Sequence, residues 1–555
     1  MDVQRTNLWQ SGIVRRFLTN PSLALWGLAM FVYVPALMGG TIWDDQAALR
    51  NPLLTSFAGL GRIWFRPGSD PLEEHYWPVT YTVFWLLHRL GAGGSPWVFH
   101  LLNVVLHATN AVLVYRLARR LQISYAWIGA AIFAVHPLHV ESVAWIVELK
   151  NVLSFTFGAL ALGRWLRRVE QDPPTRALPW DVLGLYVLAM WSKSAVAPLP
   201  LVAGLLTWWR FPNRLRREIP SLALWLSLSV ALVVLDLWIV QGSGRPTEDL
   251  SVVERIALIG QTVWFYVLKL LWPDALCAIY PKWQPLRMGL LLSLLPTLSL
   301  FLLVIATAVV CVHSIIRPRM APNSVPAGFF AVSTAFVLLL LPVTGVVPFS
   351  YQRQSFVADR FVYHASVFMI CALTELTANA LRWVPQGKRV GVFLTTAVMC
   401  VLGVLTFVRA NTFADIERLA QDTLAKNPEA TVARYYLADA LAKRGDYPRV
   451  LQEYANTFWT SLKALEPRKD ALLQEARLQL EKTPNHPSAL FNLGLALAAG
   501  GELKSAEEVF ARVCELDSSA SQAKIARAVL LEQLGQTTAA LRLIMELYRA
   551  DKYTE

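Results

Sequence analysis

Long apolar runs separated by short charged turns fill the chain from about residue 23 to about residue 407, and then they stop. Most of these runs approach the length a helix needs to cross a bilayer, since roughly 20 residues rising 1.5 Å each match a hydrocarbon core of about 30 Å. The pattern predicts spans at residues 23–38, 97–115, 126–144, 152–166, 222–240, 290–315, 329–347, 361–381 and 390–408. Two shorter apolar helices, 182–191 and 195–209, form a pair hinged at Ser192-Lys193 and bring the count to eleven. A further apolar stretch, 256–272, would carry the later Arg and Lys clusters to the wrong side if it crossed, so it reads as re-entrant or interfacial. Beyond residue 410 the sequence turns polar and helix-favouring. The prediction is an all-α protein of two domains: a polytopic membrane bundle over 1–410 and a soluble domain over 411–555, with a long polar loop, 41–96, after the first span.

Composition agrees with the pattern. The 555 residues are 55% apolar, well above an ordinary soluble protein. The net charge of +12 comes largely from Arg and Lys in short loops between spans, and no basic stripe interleaves with exposed aromatics. That distribution sets membrane orientation and excludes nucleic acid as the expected partner. Arg15 and Arg16 precede the first span and Asp44 and Asp45 follow it, so the first span starts inside and loop 41–96 lies outside. Eleven spans then leave the C-terminal domain outside, which in a bacterium means an inner-membrane protein with a periplasmic tail. The five cysteines show neither a C-x-x-C nor a metal-ligand spacing.

The soluble tail repeats itself. Gly445-Asp446-Tyr447 with Val450, Gly501-Glu502-Leu503 with Ala506, and Gly535 with Ala540 share one small-residue pattern. The step from Gly501 to Gly535 is the 34 residues of a tetratricopeptide repeat, in which Gly turns the chain between two helices and Ala lets them approach. Gly445 to Gly501 is not a whole number of such units, so the stretch 457–483 must be degenerate. An α-solenoid of this kind presents a surface for a peptide or protein.

Candidate chemistry gathers at the outer ends of the spans. The acidic pair Asp44-Asp45 is costly beside lipid and therefore points to function. Six of the nine histidines fall between His75 and His139. Glu74, His75 and Trp77 lie in the first outside loop, and His100, Asn103 and His107 share one helical face of the second span. His136, His139 and Glu141 lie at the outer end of the third span, with Lys150 opening the fourth. Ionisable side chains on spans face a bundle interior or a water-filled cavity, so these clusters read as one outward-opening polar cavity. Arg353, Arg360 and Tyr363 sit in or beside a later outside loop, and Lys193 at the break between the two short helices. Arginine is the preferred phosphate partner through its planar fork of donors, and a lipid-linked phosphate would lie at that depth. His136-x-x-His139 lacks the four-residue spacing of a zinc-binding H-E-x-x-H helix, and no metal is indicated.

The ordered motif set carries a resemblance. Trp43-Asp44-Asp45, Trp77-Pro78-Val79-Thr80, His100 to His107, His136 to Trp145, Leu149 to Ser154, Ser192-Lys193, Tyr280-Pro281 and Val357 to Tyr363, followed by the repeats, resemble the transmembrane and tetratricopeptide-repeat O-mannosyltransferases and their bacterial homologues. These belong to the GT-C class of membrane glycosyltransferases. The resemblance implies inverting transfer from a polyprenyl-phosphate-linked sugar to an acceptor hydroxyl on the outer membrane face. It implies that Asp44 or Asp45 is the base and that Arg360 stabilises the leaving phosphate, with His100, His139 or Lys150 assisting. Leu149-Lys150-Asn151 stands where the family more often has Arg-Lys-Asp. Two other classes compete: a transporter or lipid flippase, whose His/Asp/Glu chain would relay protons, and a non-catalytic scaffold whose repeats recruit partners.

Overall fold

The protein is described from a computed structural model that covers residues 20–68, 75–93, 95–172, 177–242, 248–316 and 325–551. Among these residues the regular structure is helical, with no strand. Contacts divide the chain into two units, Met1–Asp415 and Ile416–Glu555.

In the first unit the apolar runs become helices where the pattern places them. Among the described residues five are long and apolar enough to cross a membrane: Pro96–Arg120, Ile146–Glu170, Pro212–Val240, Asp359–Leu381 and Gly387–Phe413. A sixth crossing is the bent pair Ala126–Val135 and Pro137–Ala144, which turns by 53°. The bend falls at His136-Pro137, where proline has no N–H to continue the ladder. Of the other expected spans, Pro21–Val32 and Trp180–Ser192 are apolar helices of 12 and 13 residues, and Leu290–Ile316 is a helix of 27. Pro21–Val32 starts on an Asn20 cap and breaks at Tyr33, just before Pro35. The chain is thus a multi-pass membrane protein.

Pro96–Arg120 is the central strut. It packs against Pro21–Val32, Ala126–Val135 and Leu149–Glu170. The stretch expected to be re-entrant forms the helix Val252–Leu271, opened by a Ser251/Glu254 capping box. It lies close against Leu290–Ile316, because a Cβ on Gly260 would sit 2.1 Å from the Thr297 backbone nitrogen.

The second unit is a series of short antiparallel helix pairs. Gly445, Gly501 and Gly535 all hold φ between 80° and 84° at the turn inside a pair, a region side-chain-bearing residues avoid. Pro487–Ala499 and Ser521–Gln533 begin 34 residues apart, as the repeat predicts. The irregular step arises because Tyr447–Leu465 runs to 19 residues and an additional helix, Lys469–Lys482, follows it.

Candidate active site

The site begins with how Asp45 is held. Trp43 turns the chain with φ 46°, and the short helix Asp45–Leu49 starts at Asp44. Asp45 is fully buried, and its two carboxylate oxygens accept the N–H groups of Ile42 and Val147, each at 3.0 Å. Burial pushes the Asp45 carboxyl well above the usual carboxylate range; the Ile42 amide opposes this and the Asp44 charge adds to it. Asp44 is exposed. The Val147 bond ties the acidic pair to the segment Ile146–Glu148, which carries the next carboxylate.

Glu148 is the hub. Its oxygens lie 3.2 Å from Lys193 Nζ, 3.7 Å from Lys150 Nζ and 3.5 Å from Arg360 Nε. Asn151 Nδ2 donates to Glu148 at 2.6 Å, to Ser142 Oγ at 3.1 Å and to the Arg360 carbonyl at 3.2 Å. Arg360 also pairs with Glu141 through its guanidinium, and its backbone N–H donates to the same carboxylate at 2.9 Å. Three cations and two carboxylates therefore share one buried cluster, with cation in excess. Desolvated charges of this kind persist only when paired and hydrogen-bonded, as these are.

Aromatic rings floor the cluster. Lys150 Nζ lies 4.8 Å and Lys193 Nζ 5.9 Å from the Trp77 ring centre. Arg360 lies over Tyr351 at 4.2 Å and over Trp145 at 5.3 Å, and Trp43 meets Trp145 edge-on. His75 stacks on the other part of this wall, with its ring 4.7 Å from Trp77, and its Nδ1 lies 3.0 Å from Asp236 Oδ2. The break at Lys193 is fixed by Ser154 Oγ donating to the Lys193 carbonyl and Thr80 Oγ1 donating to that of Ser192. Behind the cluster, the Tyr280 hydroxyl donates to Asp359 at 2.7 Å and Arg409 lies 3.6 Å from the same carboxylate.

The predicted residues thus separate into groups. Asp45, Glu141, Lys150, Lys193, Arg360, Trp77 and His75 meet around one centre. His100, Asn103, His107, His136 and His139 are buried, and most of their polar atoms are engaged inside the bundle. Asn103 donates to the Trp145 carbonyl, and His107 contacts the Tyr363 hydroxyl and the Ala134 carbonyl. His139 bridges the Phe133 carbonyl and Ser366, and His136 meets the Leu270 carbonyl. Of these side chains, Asn103 fastens the wall that carries Trp145, and the histidines bind carbonyls and hydroxyls of the neighbouring helices. Arg353 is exposed and no hydrogen bond or ion pair ties it to the cluster. Glu74 lies outside the described residues. Among the described residues no group of three His, Cys, Asp or Glu side chains could hold a metal.

Sequence reasoning missed the roles of Glu148, Asn151, Tyr351 and Asp236. Asp236 had a signal, a carboxylate inside an apolar run. Glu148 stood out only as a neighbour of Lys150 and Asn151, four residues before the expected span 152–166, like many loop charges.

A tetratricopeptide-repeat family model matches residues 404–456 and 470–521. The chain is 33% identical over 171 residues to the protein O-mannosyl-transferase Tmtc2 of Drosophila melanogaster, which is 28% of this chain and 18% of the fly protein. It is 30% identical over 170 residues to the mouse protein O-mannosyl-transferase TMTC3, again 28% and 18% of the two chains. Against human protein O-mannosyl-transferase TMTC4 it is 25% identical over 193 residues, 30% of this chain and 26% of that protein. The chain spans only about a fifth to a quarter of the length of these relatives. No solved structure matches it significantly. Relatives at about 30% identity and tetratricopeptide repeats in the tail together support assigning this chain to the family of transmembrane and tetratricopeptide-repeat O-mannosyltransferases.

Proposed function

We propose that the protein is a membrane glycosyltransferase that moves a sugar, as its relatives' names suggest a mannose, from a polyprenyl-phosphate carrier to a Ser or Thr hydroxyl of a protein, on the outer face of the membrane. The observation that carries this reading is the convergence of Arg360, Lys193 and Lys150 on Glu148 beside Trp77 and Trp145, with the Asp44-Asp45 pair clasped to the same segment. The relatives' name, protein O-mannosyl-transferase, supports the acceptor class.

The step is a single displacement. The acceptor oxygen bonds to C1 of the sugar from one face as the C1–O bond to phosphate breaks on the other, so the anomeric configuration inverts. The hydroxyl proton passes to an aspartate, and the electron pair of the broken bond leaves on the phosphate. In our reading the exposed Asp44 takes the proton, while Asp45, with both oxygens on backbone amides, fixes its orientation. Arg360 and the two lysines neutralise the growing phosphate charge, already oriented by Glu141 and Glu148 and so with little reorganisation to make. Tryptophan faces suit the apolar side of a sugar ring. The repeats would hold the acceptor chain, and in a bacterium the site would face the periplasm.

The test is transfer of radiolabelled sugar from a polyprenyl phosphate donor to acceptor protein in membranes. Asp44→Asn should lose more than a hundredfold in kcat at unchanged expression, and Arg360→Gln should lose a similar factor. Full transfer in the Asp44 variant would overturn the proposed base. Movement of the lipid across sealed vesicles with no covalent product would favour a flippase.

A further inference from the structure

The two helices that carry the candidate site also build a second charged feature at their other ends. Arg116, Arg119 and Arg120 close the helix Pro96–Arg120, and Arg164 and Arg167 lie in the last two turns of Leu149–Glu170. Their spacings of three and four residues place each set on one helical face. The two sets look into a shared cavity of about 520 Å³. Lys150 and Arg167 are 17 positions apart on one helix, roughly 25 Å at 1.5 Å per residue, which is close to the thickness of a bilayer's apolar core. The cavity therefore sits at the membrane interface opposite the candidate active site.

Its charge is not balanced from within. Five arginines line it against one carboxylate, Glu170, and that carboxylate is engaged 2.6 Å from Arg120. Arg119 lies 5.7 Å from the Tyr115 ring centre, and among the described residues no carboxylate pairs with Arg116, Arg164 or Arg167. Neighbouring arginines on the same side are paired elsewhere: Arg168 with Glu218 at 3.2 Å and Arg214 with Asp172 at 3.5 Å. Apart from Ser22 and Tyr115 the rest of the lining is apolar, including Leu117, Ala159 and Leu160. A pocket that joins five arginines to apolar side chains at the level of the lipid headgroups matches an amphiphile whose head is a phosphate.

We propose that this cavity binds the phosphate headgroup of an anionic phospholipid, with the glycerol and first acyl carbons against Leu117 and Leu160. Positive charge that merely sets orientation needs no cavity and no common face. The guanidinium forks supply bidentate donors to the phosphate oxygens, and the lipid in turn relieves the repulsion among like charges at the two helix ends. The ligand is distinct from the sugar donor and lies on the other side of the membrane, so the inference does not depend on the proposed transfer reaction.

The experiment uses the full chain, purified in a neutral detergent and delipidated. Phosphatidylglycerol, phosphatidylcholine and inorganic phosphate are titrated separately while binding and melting temperature are followed. Phosphatidylglycerol should bind and raise the melting temperature, and the other two should not. The variant Arg116→Gln/Arg164→Gln/Arg167→Gln should bind phosphatidylglycerol roughly a hundredfold more weakly, taking the usual contribution of a basic residue at a membrane surface. A control variant, Arg382→Gln/Lys388→Gln/Arg389→Gln, removes three cations from another loop and should bind like the parent. If the triple variant fails to fold, Arg164→Gln and Arg167→Gln tested singly should each weaken binding several-fold. Equal binding in cavity and control variants, no preference for phosphatidylglycerol over phosphatidylcholine, or an equal effect of inorganic phosphate would each overturn the proposal.

Discussion

Two backbone amides from separate stretches of chain converge on one buried carboxylate at Asp45, so that side chain fastens the candidate site to the segment Ile146–Glu148. Because burial raises its pKa above the unfolded value, the neutral form is favoured in the fold. The stability this contributes is complete below about pH 3.9, the unfolded value, and is lost as pH rises through the raised folded value. The melting temperature of purified protein should fall as pH climbs past the ordinary carboxylate range, and Asp45→Asn should flatten that slope; an equal slope in both proteins would contradict the assignment. Arg360 poses a different question. Glu141→Gln leaves its guanidinium buried without its closest partner, which should cost about 3 kcal/mol, whereas Arg353→Gln on the exposed side of the loop should change stability by less than about 0.5 kcal/mol. Thermal unfolding of the two variants side by side measures this. The same residues show what spacing could reveal. Asp44, Asp45, Lys193 and Arg360 stand out in sequence because charge beside an apolar run is costly. Glu148 does not, and its role is created by Lys193 and Arg360 arriving from elsewhere.

At the scale of elements, local rules carried most of the information. Apolar run length placed the membrane helices, and proline placed the break at His136-Pro137, because both act within a few residues. The repeat unit was legible from its glycines, since each must adopt positive φ. Gly501→Ala would force a side chain into that region and should cost about 1 kcal/mol, lowering the melting transition of the repeat unit, while Gly500→Ala, whose φ is −79°, should cost much less. Equal losses at both positions would refute the turn assignment. The irregular step before Gly501 could be located but not explained from sequence, because a degenerate repeat and an extra helix, Lys469–Lys482, leave the same gap. The histidine clusters were recognised as a group, yet their pattern did not distinguish a solvated cavity from a braced wall. Both place polar atoms inside a bundle, and the partners these rings meet, the Ala134, Phe133 and Leu270 carbonyls, are set by helix packing.

For the whole molecule, the proposed reaction requires the repeat unit on the same side as Asp44. A cysteine placed at the exposed Ser519 (Ser519→Cys) should react with a membrane-impermeant thiol reagent on intact spheroplasts, and labelling only after lysis would place the repeats inside. The sequence by itself determined the helical class, the order of apolar segments, the repeating tail and which residue types were too costly near lipid to be idle. Each of these follows from interactions within about one turn or one repeat. Tertiary structure alone decided which charges meet. Glu141 and Arg360 are 219 residues apart, and His75 and Asp236 are 161 apart. Their pairing depends on helix packing that no local pattern encodes, and so does the burial of Asp45 beside an exposed Asp44. Both carry the same side chain on adjacent residues, and the Val147 amide, arriving from a distant stretch to join the local Ile42 amide, holds one of them buried.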